Sequence, residues 1–194
     1  MNYVEPLRKK GDIRAMKRYL KKHNLRNYTL FVFGINSALR ISDILLFKVS
    51  DIQNPDGSIK DLIKICEKKT GKSKIFPFNE SIKEVMTEYL SKTNLELDKF
   101  LFPSRQGENR PISRMSVHNF LKEAADACGI KENISTHTMR KTWARNIYDN
   151  NIKENPGIIN TIQKALNHRD SSTTLRYIGI SQDDINTIYL NNPL

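Results

Sequence analysis

Between Asn54 and Phe78 the texture of the chain changes, and that change constrains the fold more than any other feature. On either side, apolar residues recur at helical spacing. Within it, Leu62-Ile63-Lys64-Ile65-Cys66 and Lys74-Ile75-Phe76-Pro77-Phe78 read as strands. Asn54-Pro55-Asp56-Gly57 is a strong turn signal ahead of the pair, and Thr70-Gly71-Lys72-Ser73 joins the strands as a hairpin. The pattern is a small sheet set inside a helical protein.

The flanking helices can be placed from their punctuation. Asp12 is the expected N-cap of a first helix running to Leu20, whose outer face is nearly all Lys and Arg. Asn27 is the expected cap of a second, residues 28–36, apolar on every side and therefore buried. Ser42 caps a short helix through Phe47. Further helices are expected over residues 81–91, 113–127 (ending before Gly129), 137–148 and 157–166, with a short one at 175–178 and an amphipathic piece at 183–190. No repeat or long linker interrupts the series. The expectation is one mainly α domain with a small antiparallel sheet (α+β) over residues 1–194, with 1–11 as a lead-in and 181–194 as a tail.

Composition narrows the partner. The 194 residues include 32 Lys and Arg against 21 Asp and Glu, a net charge of +11. A basic chain of this size points to a polyanion, nucleic acid first. No apolar run approaches the roughly 20 residues that span a bilayer, and the first residues lack the apolar stretch of a signal peptide. A cytoplasmic protein without a membrane partner is expected. Cys66 and Cys128 form neither a metal motif nor a disulfide framework and read as small, reduced core residues. Trp143 reads as core, and His23 and His118 as structural.

One set of residues is not explained by packing. Arg40 stands in Ala38-Leu39-Arg40-Ile41-Ser42-Asp43, His137 and Arg140 in His137-Thr138-Met139-Arg140, His168 in Ala165-Leu166-Asn167-His168-Arg169, and Tyr177 in Thr174-Leu175-Arg176-Tyr177. Breaking a phosphodiester requires groups that grip the phosphate, neutralise its developing charge, aim a nucleophile and protonate the leaving oxygen. Arginine binds phosphate oxygens through a planar fork that never loses its charge. Histidine donates hydrogen bonds and exchanges protons near neutral pH. A tyrosine hydroxyl attacks well when nearby cations favour its phenolate.

In this order the pieces resemble the tyrosine recombinases, or phage-type integrases; Phe47-Lys48-Val49-Ser50-Asp51-Ile52 and Pro103 add to the likeness, which runs from about Asp12 to Tyr177. The resemblance implies the tyrosine recombinase catalytic-domain fold and site-specific cleavage and rejoining of double-stranded DNA by a homo-oligomer, a tetramer on DNA. Neither metal, ATP nor small-molecule cofactor is implied. Arg40 and Arg140 would hold the scissile phosphate, Tyr177 would form a 3′-phosphotyrosyl link, His137 would assist proton transfer and His168 would hydrogen-bond the phosphate. Lys69 would protonate the departing 5′-oxygen, with Lys72 and Lys74 as rivals.

The chain departs from the family pattern where Ala38 and Asn167 replace glycine. Asn167 is expected to keep the left-handed backbone as a helix C-terminal residue. No separate helical domain is expected ahead of Arg40, whether by nature or by trimming, and the tail packs either on its own domain or on a neighbouring subunit. Two alternatives stand beside the recombinase: a type IB topoisomerase-like nicking and resealing enzyme, and a non-catalytic DNA-binding regulator of the same fold.

Overall fold

The computed structural model describes residues 4–66, 71, 73–180 and 190. Nine helices and two strands are assigned among them: α1 (Lys10–His23), α2 (Leu25–Ile35), α3 (Ile41–Ile44), α4 (Val49–Ile52), β1 (Leu62–Cys66), β2 (Ser73–Pro77), α5 (Glu80–Thr93), α6 (Arg114–Ala127), α7 (Thr136–Asn151), α8 (Ile158–Leu166) and α9 (Ser171–Tyr177). The strands pair antiparallel, with Ile63 opposite Phe76 and Cys66 opposite Ser73. A small sheet within a helical protein is what the change of texture at Asn54 predicts. The turn before it forms as well, with Asn54 N–H on the Ser58 carbonyl at 2.9 Å. The 183–190 helix expected from the sequence lies, except for Leu190, outside the described residues, as do Thr70 and Lys72 of the hairpin turn.

Three expected caps are corrected. Helix α1 begins at Lys10 behind Lys9, so Asp12 lies in the first turn, where its charge faces the positive end of the helix. Helix α2 begins at Leu25, and its N-cap is Asn24, whose side chain accepts from Asn27 N–H at 3.1 Å. Asn24 also closes α1 by donating to the Leu20 carbonyl at 2.8 Å. One extended residue therefore ends one helix and starts the next, which leaves Asn27 inside α2. Ser42 likewise falls inside α3, whose N-cap is Arg40 itself.

Helix α2 has no polar face because it has no solvent face: Leu30, Phe31, Val32, Phe33 and Gly34 are all buried. It packs against α1, α5 and α7. Phe33 meets Phe47, Phe76 and Phe78 edge-on, with ring centroids 6.0–6.1 Å apart, which ties the hairpin to the helices.

The apolar interior divides into two clusters. The larger includes Leu30, Phe33, Tyr89, Phe102, Leu121 and Met139. The smaller joins Ala38, Ala144, Ile158, Ile162, Leu166 and Ile178, with Trp143 and Tyr177 half-buried against it. Ala38, one of the two departures from glycine, is a buried member of this second cluster. Helix α7 contributes Met139 to one cluster and Ala144 to the other, so the residues between them stand at the seam.

The α2–α7 contact depends on a side chain that is absent. A Cβ on Gly34 would come 2.5 Å from Met139 Sδ and 3.0 Å from Met139 Cβ. Gly34→Ala is therefore expected to destabilise the fold by about 1–3 kcal/mol despite alanine's better helix propensity. Denaturant unfolding checks this, and an unchanged or raised midpoint would show that α2 and α7 have room to spare.

Candidate active site

Arg40 ends the buried run Ser37-Ala38-Leu39 and takes an extended backbone at the N-cap of α3. Its carbonyl accepts from the N–H groups of Asp43 and Ile44, at 2.9 and 3.1 Å, which fixes the backbone from which the half-buried side chain departs. Asp43, one turn on, is 5% exposed.

His137 and Arg140 share α7. Ser135 caps that helix by accepting from His137 N–H at 3.2 Å, and Thr138 Oγ1 accepts from Ser135 N–H at 3.0 Å. The cap sets His137 in the first turn and Arg140 one turn later on the same face. His137 remains exposed. Partial desolvation, then the charges of Arg114, Arg140, Lys141 and Arg40, push its pKa down; at so open a position water screens most of that push. Arg140 is only 4% exposed and donates through Nη2 to the Leu166 carbonyl at 2.6 Å.

Leu166 ends α8, and the turn beyond it aims the second histidine. Asn167 adopts φ 53°, ψ 42°, the left-handed conformation expected for it. Asn167 N–H bonds the Lys164 carbonyl and His168 N–H the Gln163 carbonyl, both at 3.1 Å. These two bonds are those of a Schellman turn, in which asparagine is the tolerated substitute for glycine. The turn leaves the Leu166 carbonyl to Arg140 and throws His168 back toward α9.

Helix α9 starts at the cap Asp170, which accepts from Thr173 N–H at 2.6 Å. It delivers Tyr177 to His168: the rings meet edge to face, 4.9 Å between centroids and 74° between planes. The Tyr177 hydroxyl oxygen is shielded from solvent. His168 Nδ1 lies 3.1 Å from the hydroxyl of Thr174, itself fully buried. The sequence reading does not single out Thr174. The available signal is its place three residues before Tyr177, on the same helical face and six residues after His168. With Nδ1 engaged by Thr174, the other ring nitrogen is the one available to a substrate.

Desolvation, then the charges of Arg140 and Arg40, lowers the His168 pKa to about 4, with Asp170 opposing. The histidine is thus neutral in the DNA-free protein, and the local potential is positive. Of the sequence candidates, the structure brings Arg140, His168 and Tyr177 together and sets Arg40 and His137 within electrostatic reach of them. Lys69 and Lys72 lie outside the described residues, and of Lys74 only the backbone is described, paired with Ile65 in β2. No group of three or more acidic, histidine or cysteine side chains suited to a metal occurs among the described residues. No described helix is long and apolar enough to cross a membrane. Cys128 is a free, half-buried thiol.

Known proteins share the chain's sequence pattern and its fold. The sequence model described as the phage integrase family matches residues 9–183. The chain is 42% identical over 189 residues to a probable integrase/recombinase, YoeC, of Bacillus subtilis, covering 97% of both chains. It is 26% identical over 171 residues to the tyrosine recombinase XerD of Halalkalibacterium halodurans, covering 86% of this chain and 53% of that one. The chain thus spans about half the length of the XerD relative. In fold it resembles the XerH site-specific recombinase solved in a post-cleavage complex with a palindromic difH substrate. The TM-score is 0.69 at 16% identity, over 91% of this chain and 50% of the other.

The burial of His168 makes a measurable demand. Because its folded-state pKa lies below the ordinary value of 6.5, the folded state takes up this proton less readily than the unfolded chain. The stability tied to the neutral ring is complete above about pH 6.5 and is lost as pH falls toward 4. NMR titration of the DNA-free protein should place the His168 midpoint at about 4; a midpoint near 6.5 would show that the ring is not shielded.

Proposed function

The chain belongs to the phage integrase family, and on that premise we propose that residues 1–194 form a catalytic unit that cuts and rejoins double-stranded DNA through a phosphotyrosyl intermediate. One observation carries the reading most directly. Arg140 is anchored on the last carbonyl of α8, two residues before a histidine whose ring meets Tyr177. A phosphate lying against Arg140 and His168 would present its phosphorus to that tyrosine.

In the proposed cleavage step the Tyr177 oxygen attacks phosphorus, a P–O(Tyr) bond forms and the P–O5′ bond breaks. Arg40 and Arg140 hold the non-bridging oxygens and neutralise the added charge. The His168 nitrogen that Thr174 leaves open takes up a proton as the phosphate anion arrives and donates a hydrogen bond to it. His137 takes up the phenolic proton, and Lys69, which lies between β1 and β2 in the sequence, supplies a proton to the departing 5′-oxygen. Lys72 and Lys74 are the alternatives for that last role. In the second step a 5′-hydroxyl attacks the phosphotyrosine and releases Tyr177. The bond energy is conserved in the protein–DNA link, so no ATP is needed.

Site-specific recombination places such a step within a DNA-bound assembly, which we propose is a tetramer of this chain acting in the cytoplasm. Residues 181–194 are the segment proposed to pass between subunits. A net charge of +11 suits the partner, since phosphate contacts dominate affinity for DNA.

The test uses nicked suicide duplexes drawn from DNA flanking the gene. An SDS-stable, EDTA-resistant protein–DNA adduct is expected from the native chain and none from Tyr177→Phe. Arg140→Lys should lower the cleavage rate by about 10²-fold or more while DNA binding stays within a few fold, because an ammonium cannot reproduce the fork. DNA binding without an adduct on any site would leave a non-catalytic DNA-binding protein. Relaxation of supercoiled plasmid without paired sites would instead favour the topoisomerase-like reading.

A further inference from the structure

Residues 4–8 bond to the helices that carry the site, with one further tie from Glu5 N–H to the Asn133 carbonyl at 3.1 Å. The Val4 carbonyl accepts from Lys141 Nζ at 2.8 Å. Leu7, 3% exposed, donates its N–H to the Thr142 hydroxyl at 2.9 Å. Arg8 Nη2 donates to the Gly179 carbonyl at 2.6 Å, just past the end of α9. The fit at that point is close: a Cβ on Gly179 would stand 2.9 Å from Arg8 Nη2, and the backbone there, at φ +78°, strains any L side chain. The segment is a strap fastened to α7 at two successive residues and to the turn that closes α9.

Lys141 is the point where strap and nucleophile meet. It follows Arg140 directly on α7, and at 5% exposed it is a buried residue. Its ammonium lies 5.1 Å from the centroid of the Tyr177 ring while donating to Val4. Desolvation brings its pKa down to about 8, with Glu5 of the strap acting in the opposite direction. A buried cation survives where hydrogen bonds and aromatic faces replace its water, and here one group of each kind is in place. His168 meets the same ring in an edge-to-face arrangement, so a neutral imidazole and an amine both contact the tyrosine.

We propose that Lys141 is a positioning residue for Tyr177: its ammonium braces the tyrosine ring and couples it to the 4–8 strap, which thereby seats the nucleophile beside His168. The structural half of this inference stands on the contacts alone. Its effect on rate rests on the reading of Tyr177 as nucleophile.

Hydrogen exchange in the DNA-free full chain tests the structural half, and single-turnover adduct formation on the suicide duplex tests the other. Lys141→Met keeps the apolar stem and removes the charge; Arg8→Ala releases the strap at Gly179. Each is expected to speed amide exchange over residues 174–180 about tenfold, with α2 and α5 unchanged. Each should also slow adduct formation about tenfold at unchanged DNA Kd. Lys141→Arg, which retains a cation over the ring, should restore both readouts. Unchanged exchange at 174–180 overturns the proposal, and so does faster exchange spread through α2 and α5, which would make Lys141 ordinary core support. If exchange responds as expected but even the native chain forms no adduct, the strap stands and the nucleophile assignment falls.

Discussion

Everything at the site hangs on the hydrogen bond from Arg140 to the Leu166 carbonyl. A guanidinium at 4% exposure needs compensation for the water it has lost, and the C-terminal end of a helix offers it in two forms. One is a carbonyl with no partner inside its helix; the other is the negative end of the helix dipole. The bond also fixes a geometry. It ties the middle of α7 to the end of α8, and the turn that exposes the Leu166 carbonyl is the same turn that redirects the chain at His168. Charge burial and active-site alignment are therefore one event in this fold, and neither is achieved without Asn167 in a left-handed conformation.

That coupling explains the electrostatic character of the DNA-free site. Desolvation first, and then the arginines, depress the His168 pKa, so the imidazole is a neutral hydrogen-bonding group rather than a third cation. Positive charge is concentrated in groups that cannot lose it. The titratable residues are left to adjust their protonation when an anion arrives. Preorganisation of this kind places dipoles and charges before the reaction and spares their reorganisation during it.

What can be read from the sequence is what depends on neighbours in the chain. The strand pair, the buried character of α2, the shared face of His137 and Arg140 and the left-handed Asn167 each come from spacing within a few residues. The N-cap of α2 differs from expectation for a local reason. Asn24 and Asn27 are both good capping residues less than a turn apart, and the choice falls to Asn24 because one extended residue there serves two helices. Contacts that join distant parts of the chain carry no local signature. Arg140 reaches across 26 residues to Leu166, and Lys141 across 137 to Val4. In the sequence Thr174 is one of a pair of threonines ahead of the tyrosine, and only the return of the chain at His168 distinguishes it from Thr173. The hairpin lysines are a different case: three occur within six residues, and their spacing alone does not choose among them.

The seam between the two apolar clusters has a further consequence. Helix α7 runs through both, but the cluster beneath α8 and α9 is much the smaller and is finished by a helix of seven residues. Resistance to opening grows with the apolar surface an element buries, so the two halves do not melt as equals. Under heat or denaturant the half that carries His168 and Tyr177 is the weaker link. The protein would pass through a state still folded around α2, with Arg140 released from the Leu166 carbonyl, before the rest of the chain gives way.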